Sequence, residues 1–164
     1  MPIRKPWDHA KDLKKMFKPK KGQLIPLSPG ELKEVSNFID DQPSKGYIRP
    51  SKSEHTSPVS FVPKKDGRKW MVQDYHYLNE HMVKNNYPLP SVSQLVDKLK
   101  GSKWFTKINL WWGYNNVHIK EGDELKAAFI CHWGSFEPVV MYFGLCNQPH
   151  SKQWWMKYFQ TWMM

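Results

Sequence analysis

The apolar residues after the first Pro-rich segment recur with a helical period. One face of the expected helix carries Leu32, Val35, Phe38 and Ile39. The run Ser-Pro-Gly-Glu at 28–31 is a good helix start, because serine caps, proline suits the first helical position and glutamate completes a capping box. Gly46 suits the end of the helix. The pattern predicts one amphipathic helix between these two signals.

Short apolar runs further along the chain predict two pairs of strands. Residues 57–64 and 69–75 are joined through Asp66-Gly67, which is a strong hairpin signal. Residues 127–131 and 135–140 form the second pair around Trp133-Gly134.

The other segments carry weaker signals. Residues 1–27 are rich in Lys and Pro and predict an extended arm. Residues 91–99 predict a short amphipathic helix, residues 104–108 an apolar strand and residues 154–164 a helix.

Composition limits the function classes. The 164 residues are enough for one domain with a real core, and no apolar run is long enough to span a membrane. A net charge of +10 indicates a polyanionic partner, nucleic acid before membrane, although a merely solubilising charge is the alternative. Cys131 and Cys146 form no disulfide framework, so we expect a reducing intracellular compartment, cytoplasm or nucleus.

The choice of basic residues is unusual. Of the 25 Lys and Arg residues only Arg4, Arg49 and Arg68 are arginine, and the chain has nine Trp. Deamination of methylated CpG converts Arg codons to Trp or His codons and Asp codons to Asn codons. We hypothesise that the chain descends from an element altered in this way.

Two further groups of residues could carry chemistry, but each also has an ordinary surface or core role as its alternative. Cys131-His132 with Cys146 and His150 could bind zinc, but the closely spaced Cys pair typical of zinc sites is absent. Asp40-Asp41 and residues 121–124 hold paired carboxylates, which we interpret as solvated surface rather than an acid–base pair.

Several segments, in this order and spacing, resemble the reverse transcriptase of gypsy-like LTR retrotransposons. They are Pro-Trp-Asp-His at 6–9, Lys-Gly-Tyr-Ile-Arg-Pro-Ser at 45–51, Ser-Pro-Val-Ser-Phe-Val-Pro-Lys-Lys-Asp-Gly at 57–67, Gln-Asp-Tyr-His-Tyr-Leu-Asn at 73–79, Asn-Tyr-Pro-Leu-Pro at 86–90, Trp-Phe-Thr-Lys-Ile-Asn-Leu-Trp-Trp-Gly-Tyr at 104–114 and Phe-Gly-Leu-Cys-Asn at 143–147.

The resemblance implies an α+β fold, namely the fingers and part of the palm of a right-hand polymerase. We expect a connecting arm at 1–27, a fingers subdomain at 28–90 and the N-terminal part of the palm at 91–164. The palm would be an incomplete antiparallel sheet with packed helices, truncated before the Tyr-x-Asp-Asp hairpin that bears two catalytic aspartates. The partners implied are an RNA or DNA primer–template, a dNTP and the remainder of a polyprotein, with no membrane.

The resemblance also assigns site residues. Asn109 occupies the position of a metal-binding aspartate, where the family binds Mg²⁺. The residues implied to contact the nucleotide are Lys64, Lys65, Arg68, Trp70, Tyr114, Phe143 and Gly144. Tyr114 matches the aromatic residue that gates the sugar, and a buried core tyrosine is the alternative. The residues implied to contact nucleic acid are Lys69, Asp74, His76 and Asn79.

Departures from the family pattern decide the expected activity. Tryptophan or histidine stands where the family has arginine at Trp70, His76, Trp111 and His118. Indole has one donor and no charge, so it does not replace a bidentate phosphate contact. Asn109 offers an oxygen without charge, so we expect no productive Mg²⁺ binding and no polymerase activity. The alternatives are a non-catalytic, basic nucleic-acid-binding module and an interaction protein derived from the polymerase.

Overall fold

A computed structural model describes residues 3–4, 6, 8–64, 67, 69–84, 91–106 and 113–145. The elements in this part of the chain are α1 (Pro29–Ser44), β1 (Ile48–Pro50), β2 (Ser57–Pro63), β3 (Lys69–Gln73), α2 (His76–His81), α3 (Val92–Leu99), a 3₁₀ helix (Glu124–Ala127), β4 (Phe129–Cys131) and β5 (Gly134–Pro138). None of these helices is long and apolar enough to cross a membrane.

Local capping signals fix where the predicted helices begin. The backbone N–H of Ser28 donates to the Glu31 carboxylate at 2.8 Å, and the Ser28 hydroxyl accepts from the Glu31 N–H, so the predicted capping box is confirmed. Helix α1 ends at Ser44, and Gly46 follows with a φ of 73°, a left-handed conformation that glycine adopts without strain. The predicted helix at 91–99 is confirmed as α3, which begins after a second capping box between Ser91 and Gln94.

The strands form one five-stranded sheet in the order β1-β5-β4-β2-β3. Both predicted pairs are confirmed, since β2 pairs with β3 and β4 pairs with β5 in antiparallel fashion. Strand β2 also pairs with β4, and this pairing is parallel. The sheet is therefore mixed: β4 and β5, the strands of residues 91–164, pair in antiparallel fashion as expected, and the parallel pairing joins β4 to β2.

Several strand limits differ from the prediction. Strand β2 ends at Pro63 rather than at residue 64, β3 ends at Gln73 rather than at residue 75, and β5 spans Gly134–Pro138 rather than 135–140. Strand β4 begins at Phe129 rather than at residue 127, because residues 124–127 are taken up by the 3₁₀ helix. Residues 104–106 lie in no strand, and the Trp104 side chain is 92% exposed, so this part of the predicted strand at 104–108 is wrong. Residues 107–108 and the predicted helix at 154–164 lie outside the described residues.

The described residues form two apolar core clusters. The first lies between α1 and the sheet and contains Val35, Ile48, Val59, Phe129, Cys131, Val140 and Tyr142. The second joins α2 to the segment at 113–145 and contains Tyr75, Leu78, Met82, Val117, Ile119, Ala127, Met141 and Leu145. The Tyr75 hydroxyl donates to the Ala127 carbonyl at 2.8 Å, so the buried phenol has a partner.

Residues 8–27 form neither helix nor strand but are anchored to the rest of the protein. Isolated bridges join His9 to Ile119 and Lys21 to Thr56. At Gly22 a Cβ atom would lie 2.7 Å from the Thr56 carbonyl oxygen, so only glycine allows this close approach. The segment is therefore held against the rest of the protein at Ile119 and Thr56.

Candidate nucleic-acid interface

The β2–β3 hairpin places a lysine and a tryptophan side by side. Val62 is the register partner of Trp70, and Lys64 follows the end of β2. Gly67, at the turn, has a φ of 81° and donates its N–H to the Lys64 carbonyl at 3.1 Å. The Lys64 ammonium nitrogen lies 3.8 Å from the centre of a Trp70 ring, which is a cation–π contact.

Lys69 makes an ion pair with the start of α1. Its ammonium nitrogen lies 2.6 Å from a carboxylate oxygen of Glu31, the residue that also completes the capping box. The hydrogen bonds from Lys69 and Ser28 lower the pKa of Glu31 to about 2. This contact joins β3 to α1, and it pairs the positive charge of Lys69 with a carboxylate of the same protein.

Three aromatic side chains continue the surface beyond Lys64. The ring centroids of Trp70 and Phe143 are 6.3 Å apart, and those of Phe143 and Tyr114 are 4.6 Å apart, both edge-to-face. Trp70 and Phe143 are 49% and 55% exposed, whereas Tyr114 packs partly against the second core cluster. We call Lys64, Trp70, Tyr114 and Phe143 the aromatic patch.

Gly144 brings the backbone beside Phe143 close to β3. Its φ is 96°, and a Cβ atom there would lie 3.4 Å from the Gln73 carbonyl oxygen and 3.8 Å from the Tyr75 ring. The Asn79 amide donates to the Gly144 carbonyl at 2.7 Å. Helix α2 therefore holds the turn that presents Phe143.

Asp74 and His76 contact each other in the turn between β3 and α2. The His76 ring and its backbone N–H both approach the Asp74 carboxylate, the latter at 3.1 Å. Burial raises the pKa of Asp74, but the contacts with His76 outweigh it and leave this pKa below its usual value. The exposed His76 is thus the hydrogen-bonding partner of the Asp74 carboxylate.

The structure brings together some of the predicted site residues and separates others. The aromatic patch unites Lys64, Trp70, Tyr114 and Phe143, with Gly144 and Asn79 behind it, while Lys69 faces α1 and the Asp74–His76 pair lies beyond the end of β3. Asn109, Lys65 and Arg68 lie outside the described residues. The roles assigned to all these side chains stay predictions.

Metal-ligand clusters are absent from the described segments, which hold no group of three or more His, Cys, Asp or Glu side chains suited to a metal ion. Cys131 donates weakly to the Gly134 carbonyl at 3.6 Å, and burial raises the pKa of its thiol. His132 lies in the described turn between β4 and β5. The remaining zinc candidates, Cys146 and His150, lie outside the described residues.

The sequence interpretation missed one buried ionic cluster. Glu124, expected at a solvated turn, is 1% exposed, and its carboxylate lies 2.5 Å from Arg4 and 4.0 Å from Arg49. The expectation of solvated surface is therefore wrong at this residue. The three partners lie far apart in the sequence, so local pattern carried no signal for the contact.

The curated relatives are much larger proteins, and this chain matches only one segment of them. No known family model matches the chain. The Tf2-3 and Tf2-7 transposon polyproteins of Schizosaccharomyces pombe are each 41% identical over 131 residues, which is 80% of this chain and 10% of the polyprotein. The chain thus spans about a tenth of the curated relatives it matches.

Solved structures agree with this relationship. The native prototype foamy virus protease–reverse transcriptase superposes with a TM-score of 0.69 at 23% identity, over 87% of this chain and 20% of that one. The foamy viral enzyme in complex with an RNA/DNA hybrid gives a TM-score of 0.66 at 18% identity, over the same shares. The predicted α+β polymerase fold is confirmed. The chain therefore has the fold seen in these reverse transcriptases and is similar in sequence to one segment of the Tf2 transposon polyproteins.

Proposed function

We propose that the chain is the fingers and first palm segment of a gypsy-like LTR retrotransposon reverse transcriptase that binds nucleic acid and has lost polymerase activity. Similar foamy viral enzymes are solved with an RNA/DNA hybrid and with double-stranded DNA, which supports a primer–template as the partner. In the family a dNTP is a further partner, and the remainder of the polyprotein is the other partner of this proposal.

The observation that carries the proposal is that two lysines of the predicted nucleotide-contacting surface are already engaged with neighbouring side chains. Trp70 replaces the arginine of the family, Lys64 lies over the Trp70 ring, and Lys69 is paired with Glu31. A triphosphate needs several cations that point outward, because its charge is concentrated on three phosphates. Among its described residues, which do not include Lys65 and Arg68, the surface instead suits the weaker, distributed contacts of a nucleic-acid backbone.

The donor set at the metal position does not fit Mg²⁺. The family places a carboxylate there, and Asn109 supplies a neutral amide. Two divalent ions held close together require anionic oxygen ligands to offset their charge. We therefore assign no chemical step to this chain.

Primer extension on an RNA/DNA hybrid, with Mg²⁺ or Mn²⁺, tests the loss of activity. We expect no template-dependent incorporation by the purified chain. Filter binding of the same hybrid tests the other half of the proposal, and we expect weak, sequence-independent binding that falls steeply with salt. Incorporation would overturn the first claim, and binding that ignores salt would overturn the second.

The alternative is an interaction protein derived from the polymerase. The exposed apolar side chains after α3, Trp104 at 92% and Phe105 at 66%, favour this candidate, because contiguous apolar surface is typical of protein contacts. Protein association that is unaffected by competing RNA/DNA hybrid would support it over the first proposal.

A further inference from the structure

The aromatic patch brings two half-exposed aromatic side chains together on the surface. Trp70 and Phe143 are each about half exposed, and their rings are neighbours although they come from distant parts of the chain. Single exposed aromatics are common on proteins, whereas contiguous exposed apolar groups are frequent at binding surfaces. The patch is therefore a candidate site and not scattered surface.

Both halves of the patch are held in place by the fold. Trp70 lies in β3, in register with Val62 of β2. Phe143 lies between Tyr142 and Leu145, which are buried in the two core clusters, and the Tyr142 hydroxyl donates to Gln42 at 2.8 Å. A preorganised surface loses little conformational entropy when it binds a ligand.

The charges of the patch select the ligand. Lys64 places one cation on the Trp70 ring, within reach of groups that stack there. Lys69 is already paired with Glu31, so it adds little positive charge. Among the described residues of the hairpin, one unpaired cation lies beside aromatic rings, and this matches a base with its adjoining phosphate, because any base offers a π-face and the backbone offers one charge per nucleotide.

We propose that the aromatic patch binds an unpaired base of a single-stranded nucleic acid, which stacks on one of the two exposed rings, Trp70 or Phe143, and meets the other edge-on, with its phosphate beside Lys64. The inference rests on the proposed nucleic-acid binding and adds the part of the nucleic acid that is recognised. A duplex keeps the faces of its bases inside its own stack, so the patch discriminates single strands from duplexes.

Fluorescence anisotropy with the full chain tests this proposal. The probes are labelled oligo(dT) and oligo(U) single strands and a duplex of the same length. We expect Trp70→Ala and Phe143→Ala to weaken single-strand binding by about 5- to 100-fold and to change duplex binding by less than about twofold. Trp70→Phe keeps most of the affinity, because it retains a stacking face.

The matched control is Trp133→Ala, which removes a tryptophan of similar exposure, 45%, from the turn between β4 and β5. It should leave both affinities unchanged. Equal weakening of single strand and duplex by Trp70→Ala would overturn the proposal, as would no weakening at all. Displacement of oligo(dT) by an equal concentration of dTTP would also overturn it, since the patch would then be a mononucleotide pocket.

A second measurement separates stacking from folding and from charge. Trp70→Ala should leave the slope of log affinity against log salt unchanged, whereas Lys64→Ala should reduce it by about one. Thermal unfolding of each variant confirms that it folds. If neither probe binds at low salt, the proposed function fails together with this inference; if both bind but the aromatic variants have no effect, only this inference fails.

Discussion

The guanidinium group of Arg4 lies 2.5 Å from the buried carboxylate of Glu124, across 120 residues of chain. Arg49 approaches the second oxygen of the same carboxylate at 4.0 Å and also binds Glu137 at 2.7 Å. Two of the three arginines of the chain therefore serve an ionic cluster that ties the N-terminal segment and β1 to the 3₁₀ helix.

Replacing Glu124 should destabilise the fold. We expect Glu124→Gln to lower the free energy of unfolding by about 1–3 kcal/mol, because it removes charge-assisted hydrogen bonds from a buried position while keeping the side-chain shape. Urea unfolding gives the value. The control is Glu121→Gln, which removes the same charge from an exposed position and should have little effect. Equal stability of both variants would mean that the cluster contributes nothing.

Gly22 should tolerate no side chain. Gly22→Ala places a Cβ atom 2.7 Å from the Thr56 carbonyl oxygen and 2.9 Å from Pro58, so the docked segment must shift at a cost of about 1–3 kcal/mol. Gly30→Ala is the control, since no atom lies within 4 Å of the new Cβ and a helical alanine gains up to about 1 kcal/mol. Thermal unfolding should show opposite shifts, and parallel shifts would contradict the docking argument.

The Lys69–Glu31 pair predicts a dependence of stability on pH. The pKa of Glu31 is lowered from 4.5 to about 2 on folding, so its contribution is present above pH 4.5 and is lost as the pH falls towards 2. The difference in urea midpoint between the wild type and Glu31→Gln should therefore shrink over this window. Glu34→Gln, an exposed position on the same helix, should show no such trend.

The lysines at the tip of the β2–β3 hairpin should supply part of the affinity for nucleic acid. We expect Lys64→Ala with Lys65→Ala to weaken binding of an RNA/DNA hybrid and to reduce the salt slope by about one for each phosphate that is no longer bound. Lys15→Ala with Lys52→Ala removes the same charge from exposed positions elsewhere and should leave the slope nearly unchanged. Identical slopes for both variants would show that only net charge matters.

Local signals account for the parts of the fold that the sequence predicts correctly. The Ser28–Glu31 capping box and the Asp66-Gly67 hairpin lie within a few residues, so composition and spacing were enough to place α1 and the β2–β3 pair. The parallel pairing of Ser57 with Phe129 joins segments that are far apart, and no short pattern encodes it. The same reason hid the contact between Trp70 and Phe143, although the family resemblance pointed to both residues.

The two neighbours of β2 reach it at different times during synthesis. Strand β3 follows within a short hairpin, whereas the parallel partner β4 comes only after the segment up to Phe129 has left the ribosome. Until then β2 presents an open edge, and slow long-range pairing is the stage at which nascent chains associate wrongly.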